Sequence, residues 1–121
     1  MPGVFEIDGG EQAAFQLLDM AEPPTAIFAF NDNHAIGALK AARIRGLRVP
    51  EDLSIVGFDD VEHATIVTPM LTTVRQPLAE MGRTAVSLLM RLLERHSLET
   101  LHVEIATRLV VRESTGPVPR R

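Results

Sequence analysis

Polar residues with chemical potential gather after two apolar runs. "TAIFAF" (25–30) stops at Asn31 and Asp32, and "IVGF" (55–58) stops at Asp59 and Asp60, with Glu62 and His63 close behind. An ionised Asp accepts hydrogen bonds, while an Asn both accepts and donates. Asn31 and Asp59 together therefore suit a molecule crowded with hydroxyls, such as a sugar or a nucleoside. Asp60 reads as the acid that holds the loop, and Asp32 as the N-cap of a following helix. No nucleophile with a partnered base, phosphate-cradling glycine loop or nucleophile elbow is visible, so these residues describe a binding site and not an active site. A metal-dependent hydrolase using Asp59, Asp60 and His63 is a rival reading, although the three lack the spacing of a metal-ligand motif.

The elements around them decide whether the two polar ends meet. "GEQAAFQLLDMAE" (10–22) carries Ala13, Ala14, Leu17 and Leu18 at helical spacing and is stopped by Pro23 and Pro24. "TAIFAF" is apolar on both faces, as expected of a strand covered on both sides. "DNHAIGALKAARIRG" (32–46) reads as a helix with Gly46 at C′, and "LSIVGF" (53–58) as a second buried strand. Strand, helix and strand with short connections make a βαβ unit, so the strands should be parallel and end at one edge, where open α/β sheets bind ligands. Residues 61–70 form a loop with room for one helical turn, and 71–76 a short extended piece. "PLAEMGRTAVSLLMRLLERH" (77–96) is a helix opening with Pro at N1, its polar stripe leaving a broad apolar face. "LHVEIATRLVVRES" (101–114) supplies two short extended runs, and 117–121 a loose tail. The fold class is α/β, a Rossmann-like, mainly parallel sheet flanked by helices.

Composition narrows the function. The chain has 121 residues, 45% hydrophobic and 23% charged, which is the balance of one globular domain and not of a disordered segment. With no Cys, disulfides and thiolate chemistry are excluded, and a reducing compartment fits. No apolar run approaches the roughly 20 residues of a membrane span. A net charge of −4 without a Lys/Arg cluster before the terminal "PRR" offers no footprint for a phosphate backbone, so this chain by itself should not bind DNA.

"PTAIFAFNDNHAIGALKAARIRGLRVPEDLSIVGFDD", then the "LTTVRQP" and "AEMG" segments, then "LVVREST" resemble, in order and spacing, the effector-binding region of lac-repressor/gal-repressor transcription regulators, from about residue 4 to 116. The resemblance implies a partial periplasmic-binding-protein-like fold, no enzyme activity, no cofactor and no metal. It implies a cytoplasmic homodimer that senses a small sugar or nucleoside effector and reaches DNA only through an N-terminal headpiece, which this chain does not contain. By resemblance Asn31, Asp59 and Gln76 read the effector, and Phe5 is an aromatic platform, a position where core packing is the competing reading. Leu78 stands where the family often has a second aromatic. Ile36 and the segment Ala64, Thr65, Ile66, Val67 and Thr68 are implied at the subunit interface. Residues 1–116 then form the C-terminal portion of the effector-binding domain, with helix 77–96 belonging to a first lobe that this chain lacks. A fragment of a periplasmic sugar-binding transport protein is the alternative; "VPEDLSIVGFDD" and "VVREST" favour the regulator.

Overall fold

The computed structural model describes residues 6–95 and 102–120. The chain divides into two units, one through Arg75 and again from Leu109, the other Gln76–Arg108. In the larger unit, strand β1 (Ala26–Phe28) and strand β2 (Ser54–Val56) flank helix α2 (Asp32–Ile44) in sequence. The two strands pair in parallel, with Ala26 opposite Ser54, Ile27 opposite Ile55 and Phe28 opposite Val56. Parallel bridges join Val56 to Thr72 and Asp59 to Arg75, which brings strand β3 (Thr73–Arg75) to the other side of β2. Strand β4 (Arg108–Val110) pairs with β3. The parallel βαβ unit that the sequence predicts is therefore present.

Helix α1 (Ile7–Leu18) begins earlier than its apolar spacing suggests, and takes in Gly9 and Gly10. These glycines do not break the helix because α1 crosses α2 there. A Cβ on Gly10 would lie 2.2 Å from the His34 carbonyl oxygen, and one on Gly37 would lie 2.1 Å from that of Ile7, so neither helix tolerates a side chain at the crossing. The far ends are tied by charge. Arg45 holds both carboxylate oxygens of Asp19 at 2.8 Å, with its guanidinium 4.3 Å from the centre of the Phe15 ring. α1 thus ends at Leu18, well before the two prolines. Alanines 35, 38, 41 and 42 give α2 a buried face of small residues against Leu53, Ile55 and Leu71.

Several expectations need correction. The N-cap of α2 is Asn31 and not Asp32: the Asn31 side-chain oxygen Oδ1 accepts the His34 amide at 2.8 Å, while Asp32 is the first helical residue and is buried. Gly46, at φ +72°, is the left-handed residue after the helix, as expected. Along β1 and the two residues after it, only one face is covered among the described residues. Ala29 is buried and Ile27 half-buried, whereas Phe28 and Phe30 are 69% and 67% exposed. The predicted turn within 61–70 is a 3-10 turn, Glu62–Thr65. Of the two extended runs near the C-terminus only β4 is a strand among the described residues.

The smaller unit carries helix α3 (Leu78–Leu93), in which Pro77 takes the N-cap position and not the predicted N1. None of its residues is buried, and Leu78, Val86, Leu89 and Leu93 are exposed.

The C-terminal "VREST" stitches the larger unit together. The Ser114 hydroxyl accepts the Thr72 amide at 2.8 Å and donates to the Ile55 carbonyl at 2.6 Å, while the Ile55 amide donates to the Ser114 carbonyl at 2.9 Å. Thr72 Oγ1 in turn accepts the Arg112 amide at 2.9 Å. Ser114 is fully buried, so Ser114→Ala strands a donor and an acceptor with no access to water. Urea denaturation is expected to show a loss of about 2 kcal/mol, the cost of unsatisfied buried groups.

Candidate functional site

Parallel pairing puts the C-terminal ends of β1, β2 and β3 at one edge, and each end carries polar residues. The Asp32 amide donates to the Phe58 carbonyl at 3.0 Å, so Asn31 and Asp59 each sit one residue from the bond that joins the two strand ends. The Asp59 amide donates to the Val74 carbonyl at 2.9 Å. Asn31 and Asp59 are both half-buried. Capping engages only Oδ1 of the Asn31 side chain, which keeps its Nδ2 donors for another acceptor.

The second aspartate of the pair is tied into the fold. Asp60 is gripped by two guanidiniums, Arg75 Nε on one oxygen at 2.7 Å and Arg112 Nη2 on the other at 2.7 Å, with its side chain 8% exposed. Burial pushes the Asp60 carboxyl up, but the hydrogen bonds and charges of Arg75 and Arg112 outweigh it and hold the group below the usual carboxylate range. Asp60 is therefore a structural anion, as its sequence position suggested. This occupation also removes Asp60 from any metal site; among the described residues no three His, Cys, Asp or Glu converge to hold a metal ion.

The backbone supports the distinction. Asp60 has φ +59°, the left-handed conformation Asp tolerates, but Asp59 has φ +117°, which L side chains rarely adopt. Strained residues of this kind persist where the surroundings over-determine them, and they concentrate at ligand sites. The bond to Val74 and the two-arginine clamp on the next residue supply that constraint.

Of the remaining expected residues, Phe5 lies outside the described residues. Gln76 opens the smaller unit and lines a cavity of about 340 Å3 there with Met81, Thr84 and Leu88. Ala64 is fully buried in the core of the larger unit, so its methyl group is unavailable to a partner subunit. The small side chain lets the 3-10 turn close onto the sheet, where the Leu71 amide donates to the Ala64 carbonyl at 2.8 Å. Ile66 and Thr68 are exposed, and Ile36 and Val67 half-buried. The sequence did not signal Phe30, whose ring lies 5.7 Å from that of His34 beside Asn31; its apolar run makes it look like core. Nor did it signal Arg75 and Arg112, whose only hint was charge inside two otherwise apolar or hydroxylated stretches.

Comparison with known proteins agrees with this architecture. Residues 4–115 match the model of the periplasmic binding protein-like domain. Over 122 residues the chain is 42% identical to the HTH-type transcriptional repressor CytR of Escherichia coli, an alignment that covers 97% of this chain and 34% of that protein. A regulatory protein of the LacI family from Chloroflexus aggregans superposes with a TM-score of 0.85 at 41% identity, over 92% of this chain and 40% of that one. A LacI-family regulator from an Arthrobacter species, solved in complex with lactose, superposes with a TM-score of 0.82 at 36% identity, over 92% and 42%. The chain thus spans about a third of the length of the curated relatives it matches.

The clamp on Asp60 has a pH signature. Its folded-state pKa is lowered, so the stability it contributes is fully present above the unfolded value of about 3.9 and is lost as pH falls through the folded value. Asp60→Asn is expected to lower stability by about 2 kcal/mol at pH 7, the scale of hydrogen bonds to a charged group. The gap between parent and variant should narrow steadily below about pH 4, as read by urea denaturation across pH.

Proposed function

Since the chain belongs to the periplasmic binding protein-like domain family, we propose that it is the effector-sensing part of a bacterial transcription repressor. The observation that carries this reading is the rim at which Asn31, a half-buried amide, meets Asp59, a half-buried carboxylate held on a strained backbone. Acceptors and donors side by side recognise hydroxyl-rich molecules, and one structural relative was solved with lactose. Asp59 accepts hydrogen bonds from effector hydroxyls, and Asn31 donates and accepts. Repressors among the relatives favour a regulator over a transport protein, and with it a binding role in place of an enzymatic one and a cytoplasmic setting. No described helix is long and apolar enough to cross a membrane.

In the complete regulator, effector binding shifts the balance between two global states, and a homodimer presents DNA-binding headpieces differently in each. Exposed Ile66 and Thr68 with half-buried Ile36 and Val67 supply the apolar surface for the partner subunit. DNA contact belongs to the headpiece, consistent with the acidic charge of this chain.

Calorimetry on the complete regulator, titrated with lactose, ribose and common nucleosides, tests the assignment. Asp59→Asn tolerates the same backbone and removes the charge. It is expected to weaken binding of the recognised effector by about 10- to 150-fold, the worth of a hydrogen bond to a charged group. Asp60→Asn should lower the thermal midpoint and leave affinity nearly unchanged. If Asp59→Asn binds as tightly as the parent, Asp59 is not an effector ligand. The 121-residue chain alone should give no salt-sensitive shift of duplex DNA at micromolar concentration, and such a shift would contradict the proposal.

A further inference from the structure

Asp32 plays no part in the contacts proposed for the effector, yet three elements are shaped around it. The side chain is 1% exposed. One carboxylate oxygen accepts the Val61 amide at 2.7 Å, and the other accepts the hydroxyl of Thr73 at the start of β3. Gly57 of "VGFDD" leaves room for that second oxygen: a Cβ there would stand 2.2 Å from it. Burial pushes the Asp32 carboxyl up; the bonds from Thr73 and Val61 pull it down, and the charges of Asp59 and Asp60 raise it again. A buried carboxylate without a cation is costly, and an apolar residue of like volume often serves stability as well or better. Stability alone is therefore a weak account of Asp32.

The position of its partners gives a better one. Val61 is the residue directly after the Asp59–Asp60 turn, so the Asp32–Val61 bond fixes the exit of that turn, as the Asp59–Val74 bond fixes its entry. Because Asn31 immediately precedes Asp32, the same residue ties both polar strand ends to one frame. We propose that Asp32 is a positioning residue for the effector rim: acting through the Val61 amide, it holds Asp59 at its positive φ and aligned with Asn31. The benefit to effector binding rests on the reading of Asp59 given above; the hold on the turn does not. Without the Val61 bond the turn relaxes toward ordinary negative φ, and the Asp59 carboxylate leaves its alignment.

The 15N-labelled chain tests this without any ligand, using Asp32→Ala, Asp32→Asn and Thr73→Val. In Asp32→Ala the amide order parameters of Asp59, Asp60 and Val61 are expected to fall from about 0.85 to below about 0.6, while those of α2 and β2 hold. In Asp32→Asn the side-chain oxygen still accepts from Val61 and the amide donates to the Thr73 hydroxyl, so the turn should stay ordered; a role confined to the buried charge would not be rescued this way. Thr73→Val keeps the Val61 bond, so it should lower the thermal midpoint and leave the turn ordered. It carries the test if Asp32→Ala does not fold, since a turn that melts on loss of the Thr73 bond alone would overturn the proposal. An ordered turn in folded Asp32→Ala, or a disordered one in Asp32→Asn, would overturn it equally. Failure of Asp59→Asn to alter effector affinity instead strikes the effector assignment and leaves these readouts unaffected.

Discussion

The register between β1 and β2 is the constraint on which the rest depends. With Ile27 opposite Ile55 and Phe28 opposite Val56, the two strands finish together, and the residues that follow cannot avoid each other. An antiparallel pair would send Asn31 and Asp59 to opposite ends of the sheet. The crossover helix α2 fixes the direction of the second strand, since parallel neighbours need such a connection. Its first residues thereby become part of the rim: Asn31 caps the helix and faces the edge, while Asp32 turns inward. One helix start thus both caps α2, through Asn31, and bonds inward to Val61 and Thr73, through Asp32.

Negative charge concentrates at this corner, and the structure handles each carboxylate differently. Asp60 receives two guanidiniums from β3 and from the C-terminal segment. Asp32 receives no cation and relies on an amide and a hydroxyl, with the result that its ionised form is held at a cost. Asp59, three residues after β2, is half-buried at the rim. Neutralising Asp60 lowers the repulsion that a charged Asp59 would otherwise meet at the next residue. The arginine clamp therefore stabilises the fold and also makes an adjacent charge tolerable.

Much of this was legible in the residues. Alternating apolar runs with single-helix spacing gave the βαβ unit, and the polar residues after each strand gave the rim. What escaped the sequence shares a cause: it depended on partners distant in the chain. The helix read from apolar spacing starts at Gly10, whereas α1 starts at Ile7 and crosses α2 closely at Gly10 and Gly37. Asp32 looks like a cap because the Thr73 and Val61 bonds are 41 and 29 residues away. The family resemblance implies Ala64 at the subunit interface, but the 3-10 turn folds its side chain into the core of this chain. The apolarity of "TAIFAF" promised two covered faces, and among the described residues it has one.

The conformation of Asp59 is a costly one for a residue that only shapes a turn. Glycine would occupy φ +117° without the strain that a Cβ brings, which for rare backbone regions is on the order of 1–3 kcal/mol. Asparagine would fit nearly as well as aspartate and carry no charge. A residue retained for turn geometry alone has both of these cheaper substitutes, so the turn does not explain the carboxylate. Asp60 differs, because its charge is consumed by Arg75 and Arg112 inside the fold. What separates two adjacent, identical side chains is therefore that Asp60 uses its charge on Arg75 and Arg112 inside the fold, whereas the role proposed for Asp59 is at the half-buried rim, where a hydroxyl-rich ligand would meet it.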